Sequence, residues 1–75
     1  MTRSTTGAAL RALREQSGLT AREVASRAGV SESYLSRVEN GRVVAEAAWI
    51  GNVAAAIAAA ILETAITPQP VAVAS

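Results

Sequence analysis

Apolar side chains in the first part of the chain recur at helical spacing between short polar breaks. Leu10 and Leu13 lie three residues apart and place one apolar stripe on a helix over about 7–16. Gly18 follows this stripe, and glycine is the residue that most often ends a helix in a left-handed turn. The pattern predicts a first short helix, preceded by a polar arm over residues 1–6.

A second helix is predicted to begin at Thr20. Its hydroxyl can cap the helix, and Glu23 three residues later can bond back to the backbone of Thr20. Val24 and Ala25 would point inward from this helix. It must be short, because Gly29 follows nine residues after the cap and favours a tight turn.

A third helix is predicted over residues 32–39, with Ser31 as its N-cap. Leu35 and Val38 lie three residues apart and would face the core. The remaining side chains of this helix are mostly polar and would face outward. Asn40 and the glycine after it form a strong stop signal.

From residue 45 to residue 66 the pattern is helical again, as either one helix or two. Residues 47–62 carry no charge, but this run is shorter than the roughly 20 residues that a membrane span needs, so a core and interface helix is the better interpretation. Pro68 and Pro70 end the helical pattern. The alternation of branched and small residues over 71–74 leaves a short C-terminal strand open.

Composition removes several kinds of chemistry. The chain has no Cys and no His, and all its acidic residues are Glu and all its basic residues Arg. Disulfides, thiolate or imidazole metal sites, Ser-His-Asp triads and Schiff-base lysines are therefore excluded. We expect no enzyme activity, no catalytic residue, no metal, no cofactor and no small-molecule ligand.

Charge is distributed unevenly although the net charge is only +1. All seven arginines lie within residues 1–42, together with four of the six glutamates, whereas residues 43–75 hold two glutamates and no base. A basic front half favours an anionic partner, and an apolar back half favours a protein contact. The polar start of the chain has no signal-peptide pattern, and we expect a cytoplasmic protein without a membrane partner.

Two short helices joined by a glycine turn, the second with a polar outer face, form the layout of a helix-turn-helix motif. The sequence from Leu10 to Ile57 resembles the Cro and phage-repressor (Xre-type) family. The matching segments are Leu10-x-x-Leu13-Arg14, Gly18-Leu19-Thr20, Glu23-Val24-Ala25, Ala28-Gly29-Val30-Ser31, Tyr34-Leu35-Ser36-Arg37-Val38-Glu39-Asn40-Gly41-Arg42 and Val53-Ala54-x-Ala56-Ile57.

The resemblance implies an all-α fold, a small lambda-repressor-like bundle of four to five helices with an extended apolar C-terminal helix. The arm over 1–6 would precede a DNA-binding domain over 7–57. Residues 58–67 would form a helical extension for dimerisation, followed by a tail over 68–75.

The resemblance also implies a recognition helix over 32–39 that lies in the major groove of double-stranded DNA. Base contacts would come from Glu32, Ser33 and Arg37, whose side chains have the hydrogen-bonding chemistry to read base edges. Phosphate contacts would come from Thr20, Arg22, Tyr34, Asn40 and Arg42.

Two further roles are structural. In the family an arginine on the first helix pairs with the glutamate before Asn-Gly, which implies a salt bridge between Arg14 and Glu39. A single motif buries too little surface for high specificity, so we expect a homodimer on a pseudo-palindromic operator. The apolar residues expected at the dimer surface are Ile57, Ile61, Leu62 and Ile66.

The sequence therefore predicts a DNA-binding transcriptional regulator, most simply a small Cro-like repressor from a bacteriophage or prophage, acting in the cytoplasm of a bacterial host. The alternative is an antitoxin or other protein-interaction module. In that case the apolar C-terminal helix would bind a partner protein, and DNA binding would be secondary.

Overall fold

A computed structural model describes the backbone of residues 5–66 and the side-chain surroundings of residues 6–64. Within residues 5–66 the chain forms four α-helices and no strand. They are α1 (Thr5–Gln16), α2 (Ala21–Ala28), α3 (Glu32–Glu39) and α4 (Ala47–Ile66). The all-α helix-turn-helix bundle predicted from the sequence is confirmed, with four helices. The strand left open over 71–74 lies outside the described residues.

Two helix boundaries differ from those predicted. α1 begins at Thr5 rather than near residue 7, so the last two residues assigned to the arm are helical. α4 begins at Ala47 rather than at residue 45. The connector after α3 runs to Glu46, whose carbonyl oxygen accepts the first helical hydrogen bond of α4 from the amide of Ile50 at 3.0 Å. One continuous helix then runs to Ile66, which decides between the one helix and the two that the sequence allowed.

Both helices of the motif begin at the predicted caps. The Thr20 hydroxyl accepts a hydrogen bond from the Glu23 amide at 3.0 Å, and the Thr20 amide donates to Glu23 Oε1 at 2.9 Å. This reciprocal pair is a capping box. Ser31 caps α3 by accepting from the Tyr34 amide at 3.1 Å. These short-range bonds set the starting points of α2 and α3 on either side of the turn.

The first three helices end in the same way. Gly18, Gly29 and Gly41 each have a φ between 70° and 76°, a left-handed conformation that side-chain-bearing residues rarely adopt. At each glycine the following residue donates its amide to a carbonyl five positions earlier; for Gly29 this bond runs from Val30 to Ala25 at 2.9 Å. Each end is a Schellman motif, which reverses the chain in few residues.

The core lies where the four helices meet. α4 packs mainly on α2, and α3 packs on α1 and α2. Each helix contributes at least one aliphatic side chain to the buried cluster, whose members are Leu10, Val24, Ala25, Leu35, Val53 and Ile57. Burial of one such large aliphatic side chain contributes about 1.5–3 kcal/mol, so this cluster is the main source of stability in a chain without disulfides.

α1 and α3 approach each other closely at Gly7. A Cβ atom at Gly7 would overlap the carbonyl oxygen of Val38 and lie 2.9 Å from its carbonyl carbon. The helices therefore meet backbone to backbone at this point. This contact places the C-terminal end of α3 against the N-terminal part of α1.

By length and composition, Ala47–Thr64 of α4 is long and apolar enough to cross a membrane, with a mean hydropathy of 1.5. A mostly buried core helix passes the same test, whereas 17% of this segment is buried, and the buried part forms one core face. Val53 and Ile57 on that face are completely buried. Asn52 beside them donates from Nδ2 to the carbonyl of Ala28 at 2.8 Å, which ties α4 to the end of α2.

Candidate nucleic-acid interface

The outer face of α3 carries the predicted base-reading side chains. Leu35 and Val38 anchor the inner face of α3 in the core. Glu32, Ser33 and Arg37 are all exposed on the other side, where sequence reasoning placed them. Because residues four apart lie one turn apart on the same face, Ser33 and Arg37 follow each other along one exposed stripe.

The surroundings of these three side chains differ. The Glu32 side chain makes no hydrogen bond or ion pair within residues 5–66, and it lies in the first turn of α3, where a negative charge is favourable. The Ser33 hydroxyl lies 3.1 Å from the Ser31 hydroxyl. The Arg37 guanidinium carbon lies 5.8 Å from the ring centroid of Tyr34, a cation–π distance.

The five predicted phosphate-contacting residues fall into three groups. Arg22 on α2 and Arg42 after α3 are exposed and have no bonded partner in the described part of the chain. Tyr34 is half-buried, and its ring meets Trp49 edge to face with centroids 5.1 Å apart. The other two have side chains that are already engaged within the chain. These are Thr20 in its capping box and Asn40 at the end of α3.

Asn40 is a structural residue in this arrangement. Its side-chain amide donates to the Ser36 carbonyl at 2.9 Å, and its side-chain oxygen accepts from Arg11 Nη1 at 3.4 Å. Arg11 in turn pairs with Glu15 one turn later in α1 at 3.1 Å. The end of the recognition helix is therefore bonded to α1 through exposed side chains.

Arg14 and Glu39 form the ion pair that the family resemblance implied. Arg14 Nε and Nη2 donate to the two carboxylate oxygens of Glu39 at 2.8 and 2.9 Å, and Nη1 donates to the Leu19 carbonyl at 2.9 Å. The side chains are only 12% and 5% exposed. The hydrogen bonds to Glu39 raise the pKa of Arg14 above its ordinary value, against the opposing effect of burial.

A second inter-helix ion pair was not predicted. Arg27 donates from Nη1 and Nη2 to the two carboxylate oxygens of Glu63 at 3.1 and 3.0 Å. The hydrogen bond and the charge of Arg27 lower the pKa of Glu63. A sequence signal exists, since Glu63 is the one charged residue after the uncharged run of α4.

The arginines of the described residues 5–66 therefore form two classes. Each member of the first class pairs with a glutamate; they are Arg11, Arg14 and Arg27. The members of the second class are exposed and have no ion pair; they are Arg22, Arg37 and Arg42. Arg22 and Arg37 belong to the helix-turn-helix motif, and Arg42 lies three positions after its recognition helix.

The predicted dimer surface needs one correction. Ile57 is completely buried in the core of its own chain, beside Val53 and Leu35, so it cannot contact a second copy. Ile61 and Leu62 are 41% and 59% exposed. The side chain of Ile66 lies outside the part of the chain for which surroundings are described.

Ile61 also lines an open groove of about 470 Å³ between the ends of α1 and α4. The other lining residues are Leu13, Gln16, Ser17 and Thr64. Leu13 is 40% exposed there, although its spacing from Leu10 predicts a core position. Ile61 and Leu62 form an exposed apolar region at the end of α4, and Leu62 does not line the groove.

Comparison with known proteins agrees with this architecture. A family model described as "Helix-turn-helix domain" matches residues 6–65, which is more than half of the chain and includes all four helices in whole or in large part. The chain has no significant match among curated proteins or among solved structures. By the family match, its fold and the arrangement of α2 and α3, the chain belongs to the helix-turn-helix domain family of the Xre/Cro-like clan.

Proposed function

We propose that the chain is a sequence-specific regulator of transcription that binds double-stranded DNA with α3 in the major groove. The observation that carries this proposal is the distribution of free charge. Within residues 5–66, the arginines without an internal ion pair are Arg22, Arg37 and Arg42, and all are exposed. The other described arginines are neutralised by glutamates, so the motif presents its positive charge to an anionic partner such as the DNA backbone.

Sequence reading would come from the exposed stripe of α3. The guanidinium of Arg37 can donate two hydrogen bonds to the O6 and N7 atoms of guanine, and Glu32 can accept one from the N4 amino group of cytosine. Ser33 can either donate or accept. We propose Arg37 as the main base-contacting residue, because its side chain is exposed and forms no ion pair within the described part of the chain.

Phosphate binding would hold α3 in register on the duplex. Arg22 on α2 and Arg42 after α3 supply exposed positive charges, and the amides at the start of α2 and α3 favour nearby phosphates. Thr20 and Asn40 keep their predicted phosphate contacts only by sharing hydroxyl or amide groups that already bond within the chain. Arg22 and Arg42 therefore supply most of the phosphate binding.

The regulator would act as a homodimer on a pseudo-palindromic operator, with half-sites roughly 34 Å apart. Ile61 and Leu62 would supply the dimer contact, together with the groove beside Ile61, because they form an exposed apolar region at the end of α4. Occupation of an operator by such a dimer would exclude polymerase, so we propose repression as the mode of action, in the cytoplasm of a bacterial or phage-infected cell.

The same exposed apolar region favours a second candidate function. A partner protein of another kind could cover Ile61 and Leu62, as in an antitoxin whose DNA binding is secondary. Sedimentation of the isolated chain separates the two functions. A stable dimer supports the regulator, whereas a monomer that associates only with a partner supports the interaction module.

The decisive experiment is selection of bound duplexes from a random DNA pool at about 0.1 M salt. We expect enrichment of a pseudo-palindrome, and we expect Arg37→Ala to relax the preference at one base pair of each half-site by about 1–3 kcal/mol. Failure of the wild-type chain to enrich any sequence, together with no binding in dilute buffer, would contradict the proposed function.

A further inference from the structure

We infer that Tyr34 is a positioning residue for base reading: its ring, supported by Trp49, holds the Arg37 guanidinium in place on the outer face of α3. The inference rests on the proposed function. It replaces the phosphate contact predicted for the Tyr34 hydroxyl with a role for the Tyr34 ring, and it gives Trp49 a share in specificity.

The first step is the contact between Arg37 and Tyr34. The two residues are three apart on α3, so their side chains are neighbours on the helix surface. The guanidinium carbon lies 5.8 Å from the ring centroid, within the range of a cation–π attraction. No glutamate pairs with Arg37 in the described part of the chain, so the ring of Tyr34 is the group that orients it.

The second step is the support of Tyr34 from α4. The Tyr34 and Trp49 rings meet at 76° with centroids 5.1 Å apart, a T-shaped geometry that aromatic pairs favour. Trp49 is itself half-buried and packs against the central core cluster. The contact therefore runs from the core through Trp49 and Tyr34 to the exposed guanidinium.

The third step is the consequence for recognition. A free arginine side chain has many rotamers, and ordering it on a base edge costs conformational entropy. A ring that already restricts the guanidinium lowers this cost for the reading contact. Loss of the ring should reduce discrimination at the base pair that Arg37 reads, while phosphate binding by the other arginines continues.

The test uses the full chain and the duplex that it selects from a random pool, with variants of that duplex at each base pair. Tyr34→Phe keeps the ring and removes the hydroxyl, and Tyr34→Leu keeps apolar bulk without an aromatic face. Arg37→Ala identifies the base pair that is read, and the double variant Tyr34→Leu/Arg37→Ala completes a cycle. Circular dichroism melting confirms that each variant is folded. If Tyr34→Leu does not fold, Tyr34→Met takes its place.

We expect Tyr34→Leu to lower discrimination at the Arg37 base pair by about two- to fivefold, the size of an exposed cation–π contact. Tyr34→Phe should retain it, and in the Arg37→Ala background Tyr34→Leu should change it no further. A merely structural role for Tyr34 would instead lower affinity for every duplex by the same factor.

Three results would overturn the inference. Unchanged discrimination in folded Tyr34→Leu would show that the ring does not position Arg37. A uniform loss of affinity in Tyr34→Phe would return Tyr34 to phosphate binding through its hydroxyl. A wild-type chain that binds no duplex would overturn the proposed function and this inference with it.

Discussion

Arg14 on α1 and Glu39 at the last residue of α3 are joined by two parallel hydrogen bonds of 2.8 and 2.9 Å. The third donor of the guanidinium bonds the Leu19 carbonyl, immediately before the cap of α2. One side chain therefore links α1, the start of α2 and the end of the recognition helix. Both charged side chains are largely buried, so each charge needs the other as its partner in place of water.

Removing one partner of this pair should be costly. We expect Arg14→Met or Glu39→Gln to lower the free energy of unfolding by about 3 kcal/mol, because either change leaves a polar group buried without its partner. The double variant Arg14→Met/Glu39→Gln should be more stable than the sum of the single effects predicts. Urea denaturation of the four proteins measures the coupling, and strict additivity would contradict the interpretation.

The close approach at Gly7 leads to an unusual expectation for a helical glycine. Alanine in place of glycine normally stabilises a helix interior by about 1 kcal/mol. At Gly7 the added methyl group meets the Val38 carbonyl, so Gly7→Ala should destabilise by about 1–3 kcal/mol. Gly51→Ala is the matched control, since a Cβ at Gly51 meets nothing within 4 Å. Equal stabilisation by both changes in thermal melts would rule out the close contact.

The two classes of arginine predict different salt dependence of DNA binding. Loss of one phosphate contact lowers the slope of log affinity against log salt by about 0.9. We expect this reduction for Arg22→Gln and for Arg42→Gln, in titrations between about 0.05 and 0.2 M salt. Arg27→Gln removes the same charge from an arginine that is already paired, and its slope should stay near that of the wild type. A common reduction in all three would attribute binding to net charge alone.

The exposed apolar region at the end of α4 should control assembly. We expect Ile61→Glu to convert the proposed dimer into a folded monomer, because it places a charge on a surface that dimerisation would bury. Ala47→Glu adds the same charge to an exposed position at the other end of α4 and should leave assembly unchanged. Sedimentation velocity distinguishes these results, and an Ile61→Glu protein that stays dimeric would exclude this surface.

The ion pair between Arg27 and Glu63 should give stability a specific pH dependence. Pairing lowers the pKa of Glu63, so the contribution of the pair is complete above the ordinary glutamate pKa of about 4.3 and is lost as pH falls through the lowered value. The difference in urea midpoint between the wild type and Glu63→Gln should be largest near neutral pH and vanish in acid. Arg27→Gln should show the same trend, whereas a difference independent of pH would count against the pair.

Local features of the fold were predictable from short stretches of sequence. The caps of α2 and α3 depend on hydroxyl and carboxylate groups within three residues of the amides that they bind. The turn at Gly29 depends on one residue that tolerates a positive φ. These interactions involve only residues close together in the sequence. They could therefore be predicted from Thr20, Glu23 and Ser31 without the rest of the fold.

Long-range features were less accessible. Ile57 and Ile61 have the same helical spacing and similar hydrophobicity, yet one is completely buried and the other is 41% exposed. The 20 residues of α4 extend about 30 Å, whereas the 8 residues of α2 extend about 12 Å, so the last turns of α4 reach beyond the helix on which it mainly packs. Periodicity identifies the apolar face of a helix, but it does not show how far a neighbour covers that face.

The candidate site divides in the same way. The exposure of Glu32, Ser33 and Arg37 follows from the spacing of the apolar residues of α3, and sequence reasoning located it. The pairing of Arg27 with Glu63, 36 residues away, depends on how α2 and α4 cross. Which arginines remain unpaired for a ligand could therefore be decided only once the helices were placed.

The contact between Tyr34 and Trp49 has a consequence for spectroscopy. They are the chain's only tyrosine and only tryptophan, and their rings are 5.1 Å apart in the folded state. Light absorbed by the phenol should pass to the indole by resonance transfer, so the native protein should emit almost entirely from tryptophan. Separation of α3 from α4 should restore tyrosine fluorescence, which gives this domain a built-in, label-free optical signal of its own unfolding.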